Sequence, residues 1–170
     1  TAGEFAKAES TGRATVAMLR ALGRDRHPQA VPILSDLAIV LANQGKYPEA
    51  FAIGRQTVSL DSALFGTSHP YLATHLENLG YLYNQAGFPD SAIGIVKQVL
   101  AMRRALLAPG NPQIGRTLYN LATLENHAGS YAVAEPHYEE SVRLMRQAYG
   151  PEHPDVVAAT GWLGRNQFEL

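Results

Sequence analysis

Residues 69–87 read HPYLATHLENLGYLYNQAG, and each part of that stretch has a backbone consequence. His69-Pro70 opens a helix: a small polar residue can cap free backbone N–H groups, and proline at the first helical position loses no hydrogen bond while supplying the right φ. Leu76, Leu79, Gly80 and Tyr83 follow at spacings of three and four, which sets them on one helical face. Gly87 closes the helix, because a left-handed cap costs glycine little and any other residue more.

The same punctuation recurs on both sides. His27-Pro28, His69-Pro70, Asn111-Pro112 and His153-Pro154 stand 42 residues apart three times running. In the same register lie Gly3, Gly45, Gly87 and Gly129; Ala8, Ala50, Ala92 and Ala134; Val16, Val58, Leu100 and Val142; and Met18, Leu60, Met102 and Leu144. A fixed period of this length is the mark of a repeat array, in which each unit buries its apolar face against its neighbours. Leu34, Leu37, Ala38 and Leu41, and again Leu118, Leu121 and Ala122, form sister faces to that of 76–83. Gly3 shares the glycine column and is expected in a turn.

A second apolar face follows each glycine within a few residues, as in Ala134, Tyr138, Ser141, Val142 and Met145. So short a connection forces the second helix to run back antiparallel to the first. Small residues such as Ala38 and Ala50, or Gly80 and Ala92, let the two helices approach closely while leucines fill the remaining space. Pro136 falls early in such a second helix, where its backbone cost is below the ~3 kcal/mol of a true interior site.

The segments 76–87, 43–50 (NQGKYPEA) and 149–156 (YGPEHPDV) resemble the tetratricopeptide repeat, in the 42-residue version of kinesin light chains. The resemblance covers essentially the whole chain. It implies an all-α, right-handed superhelical solenoid of antiparallel helix pairs with about eight helices, one array over 1–170. Residues 1–26 would be the second helix of an incomplete repeat, 27–68, 69–110 and 111–152 whole repeats, and 153–170 a lone first helix. Half-units at both ends expose apolar stripes, so the chain is expected to be part of a larger protein or to pair end to end with another copy.

Composition narrows the rest. Hydrophobic residues make up 46% and charged residues 17%, as in an ordered protein. A net charge of −1 offers no general attraction for nucleic acid or an anionic bilayer, and neither is an expected partner. Five basic residues between Lys7 and Arg26 are diluted by Glu9 and Asp25 and read as a solvated face. Cysteine is absent, which removes disulfides, thiolate metal sites and cysteine nucleophiles. With no apolar run of about 20 residues and no signal-like start, the expected setting is cytoplasmic.

Repeat proteins of this kind hold a peptide or partner protein against their first helices. Matched residue by residue, the groove positions are Thr74, Glu77, Asn78, Tyr81, Asn84 and Gln85, then Arg116, Tyr119, Asn120, Thr123, Asn126 and His127. Ser35, Asp36 and Ile39 precede them, and Gly161, Trp162 and Arg165 follow. Asn78 and Asn120 share a column, and an amide side chain can both donate to and accept from a peptide backbone. Tyr81 and Tyr119 add flat amphipathic area. The competing reading is that the asparagines brace adjacent repeats and the tyrosines finish the packing. Relatives that clamp a terminal carboxylate keep a set of cationic and amide residues; here Asn78 and Arg116 match, but Ser35, Ile39 and Asn120 stand at the other places. An acidic C-terminus is therefore disfavoured.

No enzyme, cofactor or metal is expected. His27, His69 and His153 belong to the helix-opening column. His127 near Glu125, and His137 near Glu135 and Glu139, lack metal-ligand spacing and read as exposed. No Gly-rich phosphate loop or Gly-x-Ser-x-Gly elbow occurs. The expected function is a protein-interaction scaffold; the alternative is a self-assembly or intramolecular regulatory spacer in a multidomain signalling protein.

Overall fold

The helix-opening column does in the structure what its chemistry dictates. In a computed structural model, which describes residues 2–170, the side chains of His27, His69, Asn111 and His153 each accept from the backbone N–H two residues on, at 3.3, 3.2, 2.9 and 3.2 Å. Among the described residues there are eight helices and no strand: α1 (Ala2–Ala21), α2 (Ala30–Asn43), α3 (Tyr47–Phe65), α4 (Pro70–Gln85), α5 (Pro89–Leu106), α6 (Pro112–His127), α7 (Tyr131–Tyr149) and α8 (Pro154–Glu169). Helix α2 starts two residues later than its sisters. Pro32 has no N–H to donate to the Pro28 carbonyl, which instead takes the Val31 N–H at 3.3 Å, so the first turn is tightened.

The helix ends also repeat. Gly45, Gly87 and Gly129 have φ of 76°, 81° and 75°. Just after each, the N–H of Lys46, Phe88 or Ser130 reaches back to the carbonyl of Leu41, Tyr83 or Glu125 at 2.9 Å in every case. That six-to-one bond satisfies a carbonyl the helix would otherwise leave open and turns the chain through a fixed angle. Gly3 departs from its column: it lies inside α1 and not in a turn.

The helices form two compact units, one running up to Ala92 and the other Ile93–Leu170. In the first, α2 packs between α1 and α3, and α4 on α3 and α2. Leu34, Leu37, Ala38, Leu41 and Ala50 are buried, as are Leu76, Leu79 and Leu82. Full burial of such leucines stabilises by about 1.5–3 kcal/mol each. Gly54 sits where a Cβ would come within 3.0 Å of Leu79 and Leu82, and a Cβ on Gly12 would lie 3.2 Å from Leu37. The basic segment is less idle than its composition implies. Arg13 makes two 2.7 Å bonds to Glu49, and Glu9 accepts from Arg13 at 2.9 Å and from Lys46 at 2.6 Å, tying α1 to α3. Lys46 first, then Arg13, hold the Glu9 carboxyl at about 2, down from 4.5.

In the second unit α7 packs between α6 and α8. Ala134, Tyr138, Ser141, Leu144 and Met145 of α7 are buried, together with Leu118, Leu121 and Ala122 of α6. Burial pushes the Tyr138 phenol above its ordinary value. Pro136 lies six positions into α7 without ending it. The tightest approach is at Gly115: a Cβ there would lie 2.9 Å from Met145 Cγ, 3.2 Å from Leu144 Cβ and 3.3 Å from the Ser141 carbonyl, while Ser141 Oγ donates to the Gly115 carbonyl at 2.7 Å.

Two outcomes follow from this packing. Gly115→Ala should destabilise by about 1–3 kcal/mol through overpacking, against a helix-propensity gain of about 1 kcal/mol, whereas Gly164→Ala, with nothing within 4 Å, should stabilise; urea titration of both variants checks the opposite signs. The Glu9 network should respond to acid. Because the folded carboxyl is held below its unfolded value, its contribution is present above about 4.5 and is lost as pH falls toward about 2. Amide exchange in α1 should accelerate over that window, and Glu9→Gln should remove this dependence.

Candidate functional site

The first helices of the first unit, α2 and α4, place the expected residues in two roles. Asn78 Nδ2 donates to Ser35 Oγ at 2.9 Å; Asn78 is half-buried and Ser35 buried, so this amide braces neighbouring first helices. Tyr81 stays exposed (42%), and its hydroxyl accepts from Gln85 Nε2 at 2.8 Å and donates to Asn43 Oδ1 at 3.3 Å. Asn84 and Gln85 are exposed beside it. Thr74 is exposed with its hydroxyl turned to the Pro70 carbonyl, Asp36 is exposed, and Glu77 and Ile39 are half-buried. An exposed phenol ringed by Asn43, Asn84 and Gln85 can stack on a side chain while the amides pair with a peptide backbone. Asn43 was missed by sequence reasoning although its column continues in Gln85 and His127, both expected groove positions, and that shared register was the available signal.

In the second unit, α6 and α8 divide the work the same way. Asn126 is buried and donates to Asn166 Oδ1 at 2.8 Å, and Asn166, fully buried, donates to the Tyr131 carbonyl at 3.0 Å. This pair braces α6, α7 and α8 and spends the Asn126 amide on the interior. Asn120 is half-buried and engaged. Thr123 donates to the Tyr119 carbonyl and accepts from Tyr138, and Tyr119 packs edge-on to Tyr138 and against Trp162's cluster. The exposed members converge on Trp162, itself half-buried. Its ring meets His127 edge-on at 5.5 Å between centroids, and the Arg165 guanidinium lies 5.3 Å from its centroid. Arg116 and Gly161 are exposed on the same two helices. A tryptophan face flanked by cationic and imidazole groups offers cation–π attraction and donors for a carboxylate.

His137 contradicts its expected exposure. Its Nδ1 lies 2.7 Å from Glu125 Oε2, and Glu125 is only 2% exposed. Lys97 Nζ approaches Glu125 Oε1 at 3.3 Å, out of line for a hydrogen bond. The acid is buried and recruits a histidine from the next helix because a carboxylate out of water needs a partner. A second such pair joins Asp61, fully buried in α3, to His75 of α4, with Asp61 Oδ1 left unpaired among the described residues. The same place is filled differently in the next two repeats: Arg103 Nη1 donates to Thr117 Oγ1, and Met145 clusters with Ala159. Asp61 and Arg103 are charged residues in a column that ends in methionine, and that break in the apolar pattern was the available signal. Among the described residues no three His, Cys, Asp or Glu side chains gather to hold a metal ion. No helix among them is long and apolar enough to cross a membrane.

With this geometry in place, a family model described as tetratricopeptide repeat matches residues 29–105 and 113–170. The chain belongs to the tetratricopeptide repeat family. Its all-α fold is the solenoid type of that family, and solved structures of the kinesin-light-chain-like branch share it. Two crystal structures of the nearly identical TPR-like repeats of a Podosopora anserina protein bearing the kinesin light chain name, one of them a point variant, share 22% identity with it. Each likeness covers 98% of this tetratricopeptide chain and 79% of the other, at TM-scores of 0.83 for the variant and 0.82 for the other form. BtubC (BKLC) from P. vanneervenii shares 19% identity over 96% of this chain and 66% of its own, with a TM-score of 0.82. At these identities the likeness concerns the fold. Against curated proteins the sequence finds no match.

Proposed function

We propose that this tetratricopeptide array is a non-catalytic scaffold that holds a peptide or a segment of a partner protein against the exposed parts of its first helices. Its working units are 27–68, 69–110 and 111–152, with half-units at 1–26 and 153–170. The observation that carries the reading is the contrast between polar groups drawn into bracing between helices and polar groups left on the exposed surface. Asn78 and Asn126 are consumed in bracing, while Tyr81, Asn84 and Gln85 in one unit, and Arg116, His127 and Arg165 in the other, remain exposed on the same helices. Packing alone gives no reason for an exposed arginine stacked on Trp162, whereas aromatic and arginine side chains carry much of the energy at binding surfaces. The guanidinium groups favour a segment bearing side-chain carboxylates.

The test begins with peptides selected from a displayed library by the wild-type chain. Tyr81→Ala should weaken peptides held by the first unit, and Arg165→Ala those held by the second, each about tenfold, as loss of a strong contact does, with thermal stability unchanged. Asn78→Ala should lower stability while leaving affinity nearly intact. Selected peptides whose Kd is indifferent to both Tyr81→Ala and Arg165→Ala would contradict the proposal.

A further inference from the structure

Packing absorbs only part of the basic segment between Lys7 and Arg26. Arg13 is drawn into the network of Glu9 and Glu49, whereas Arg20, Arg24 and Arg26 have no ion-paired or hydrogen-bonded acceptor among the described residues. All three are exposed, on or beside the connection between α1 and α2. The repeat does not require them. The columns of Arg24 and Arg26 continue as Gly66 and Ser68, Ala108 and Gly110, then Gly150 and Glu152. Arg20 shares its column with Arg104, but Arg104 donates to Glu140 at 2.6 Å.

This connection is also built differently from its sisters. It spans residues 22–29, against 66–69, 107–111 and 150–153, because α1 ends early at Ala21 and α2 starts late. Gly23, at φ 64°, reverses the chain: its N–H reaches the Arg20 carbonyl at 3.0 Å, and the Arg24 N–H reaches the Leu19 carbonyl at 2.8 Å. A turn follows at once, with the His27 N–H on the Arg24 carbonyl at 3.0 Å. These bonds hold the backbone of the three arginines on one tight loop. Gly23 also stands in the column of Phe65 and Tyr149, whose rings stack on His69 and His153 at 4.8 and 4.5 Å. With glycine there, His27 has no ring stacked on it among the described residues. Asp25 borders a small crevice with Arg20, Leu34 and Gln56 without reaching ion-pair distance of any cation. The loops at 66–68 and 108–110, each lying between whole repeats, are exposed as well, so this place in the repeat stays open to solvent.

We propose that the α1–α2 loop is a docking point for a phosphorylated serine or threonine of a partner protein. A phosphate monoester carries a charge of about −1.5 to −2 at neutral pH on three acceptor oxygens, and guanidinium forks fit such oxygens in pairs. Arg20, Arg24 and Arg26, packed into one short stretch, match a single group of that kind. A nucleic acid presents a charge every ~1.7 Å and needs a long basic track, and an anionic bilayer is held by clusters of about 4–8 cations. Sister loops without arginine, on a chain of net charge −1, supply neither. Leu22, 60% exposed beside the arginines, offers apolar contact to a residue flanking the phosphate. The loop is separate from the Tyr81 surface. Asn43, which meets Tyr81, closes the far end of α2, about 20 Å away along a helix of 14 residues.

Fluorescence anisotropy on the full chain tests this, with a labelled peptide carrying one phosphoserine between leucines, the same peptide unphosphorylated, and vesicles rich in phosphatidylserine. The phosphopeptide should bind at least about tenfold more tightly than its unphosphorylated form. Arg24→Gln together with Arg26→Gln should weaken it about tenfold with helical content unchanged. Arg24→Lys with Arg26→Lys should recover part of that loss, since charge returns without the planar fork. Arg143→Gln with Arg146→Gln alters net charge equally and should leave the Kd unchanged, as should Tyr81→Ala, which weakens only the peptides of the first-helix surface. Equal weakening by the Arg143 and Arg146 pair, no preference for the phosphorylated peptide, or arginine-dependent binding to the vesicles alone would overturn the inference.

Discussion

The turn at the end of each first helix is the constraint on which the structure rests. A hydrogen bond from the residue after the left-handed glycine to a carbonyl five positions back fixes how far the chain reverses, and it does so identically at Gly45, Gly87 and Gly129. Once that reversal is set, the second helix can only lie antiparallel to the first, and its small column, Ala50, Ala92 and Ala134, is driven to complete burial. Capping by His69, Asn111 and His153 sets the phase of the next helix. Hairpins of this size cannot bury enough apolar surface alone, so each depends on the neighbour that this geometry presents to it.

Within that frame, individual columns vary more than the period suggests. One place between a second helix and the following first helix holds Asp61 with His75, then Arg103 with Thr117, then Met145 with Ala159. The backbone tolerates an acid–imidazole pair, a guanidinium–hydroxyl pair and an apolar pair alike because the hairpin geometry is set elsewhere. Close approach is less forgiving. Gly115 and Gly54 leave no room for a Cβ without moving a neighbour, and there packing rather than backbone conformation demands glycine.

The helices, their order and most of their buried faces were legible because they rest on local chemistry: caps, left-handed glycines and a 3.6-residue apolar period. What was not legible depends on distances between columns. Nothing near His137 in sequence announces Glu125, twelve residues away on the opposite helix of the hairpin. Asn78 and Asn126 look alike as groove amides; only the position of Ser35 and Asn166 reveals that they are spent on bracing. Gly3 shows the reverse error, a glycine that shares the column of the turns yet lies inside a helix. The candidate binding faces are therefore smaller than the columns imply, and they centre on Tyr81 and on the Trp162–Arg165 stack.

The most direct test of the central claim is the stability of a chain from which one register is removed. Deleting residues 70–111 joins His69 to Pro112, keeps the capping pair and sets Asp61 opposite Thr117, whose hydroxyl can serve it. A helix-rich protein that unfolds cooperatively in urea is the predicted result, while a deletion of 72–109 should abolish cooperative unfolding. If the in-register deletion collapses or aggregates, or if both deletions fold equally well, the 42-residue hairpin is not the unit that organises this chain.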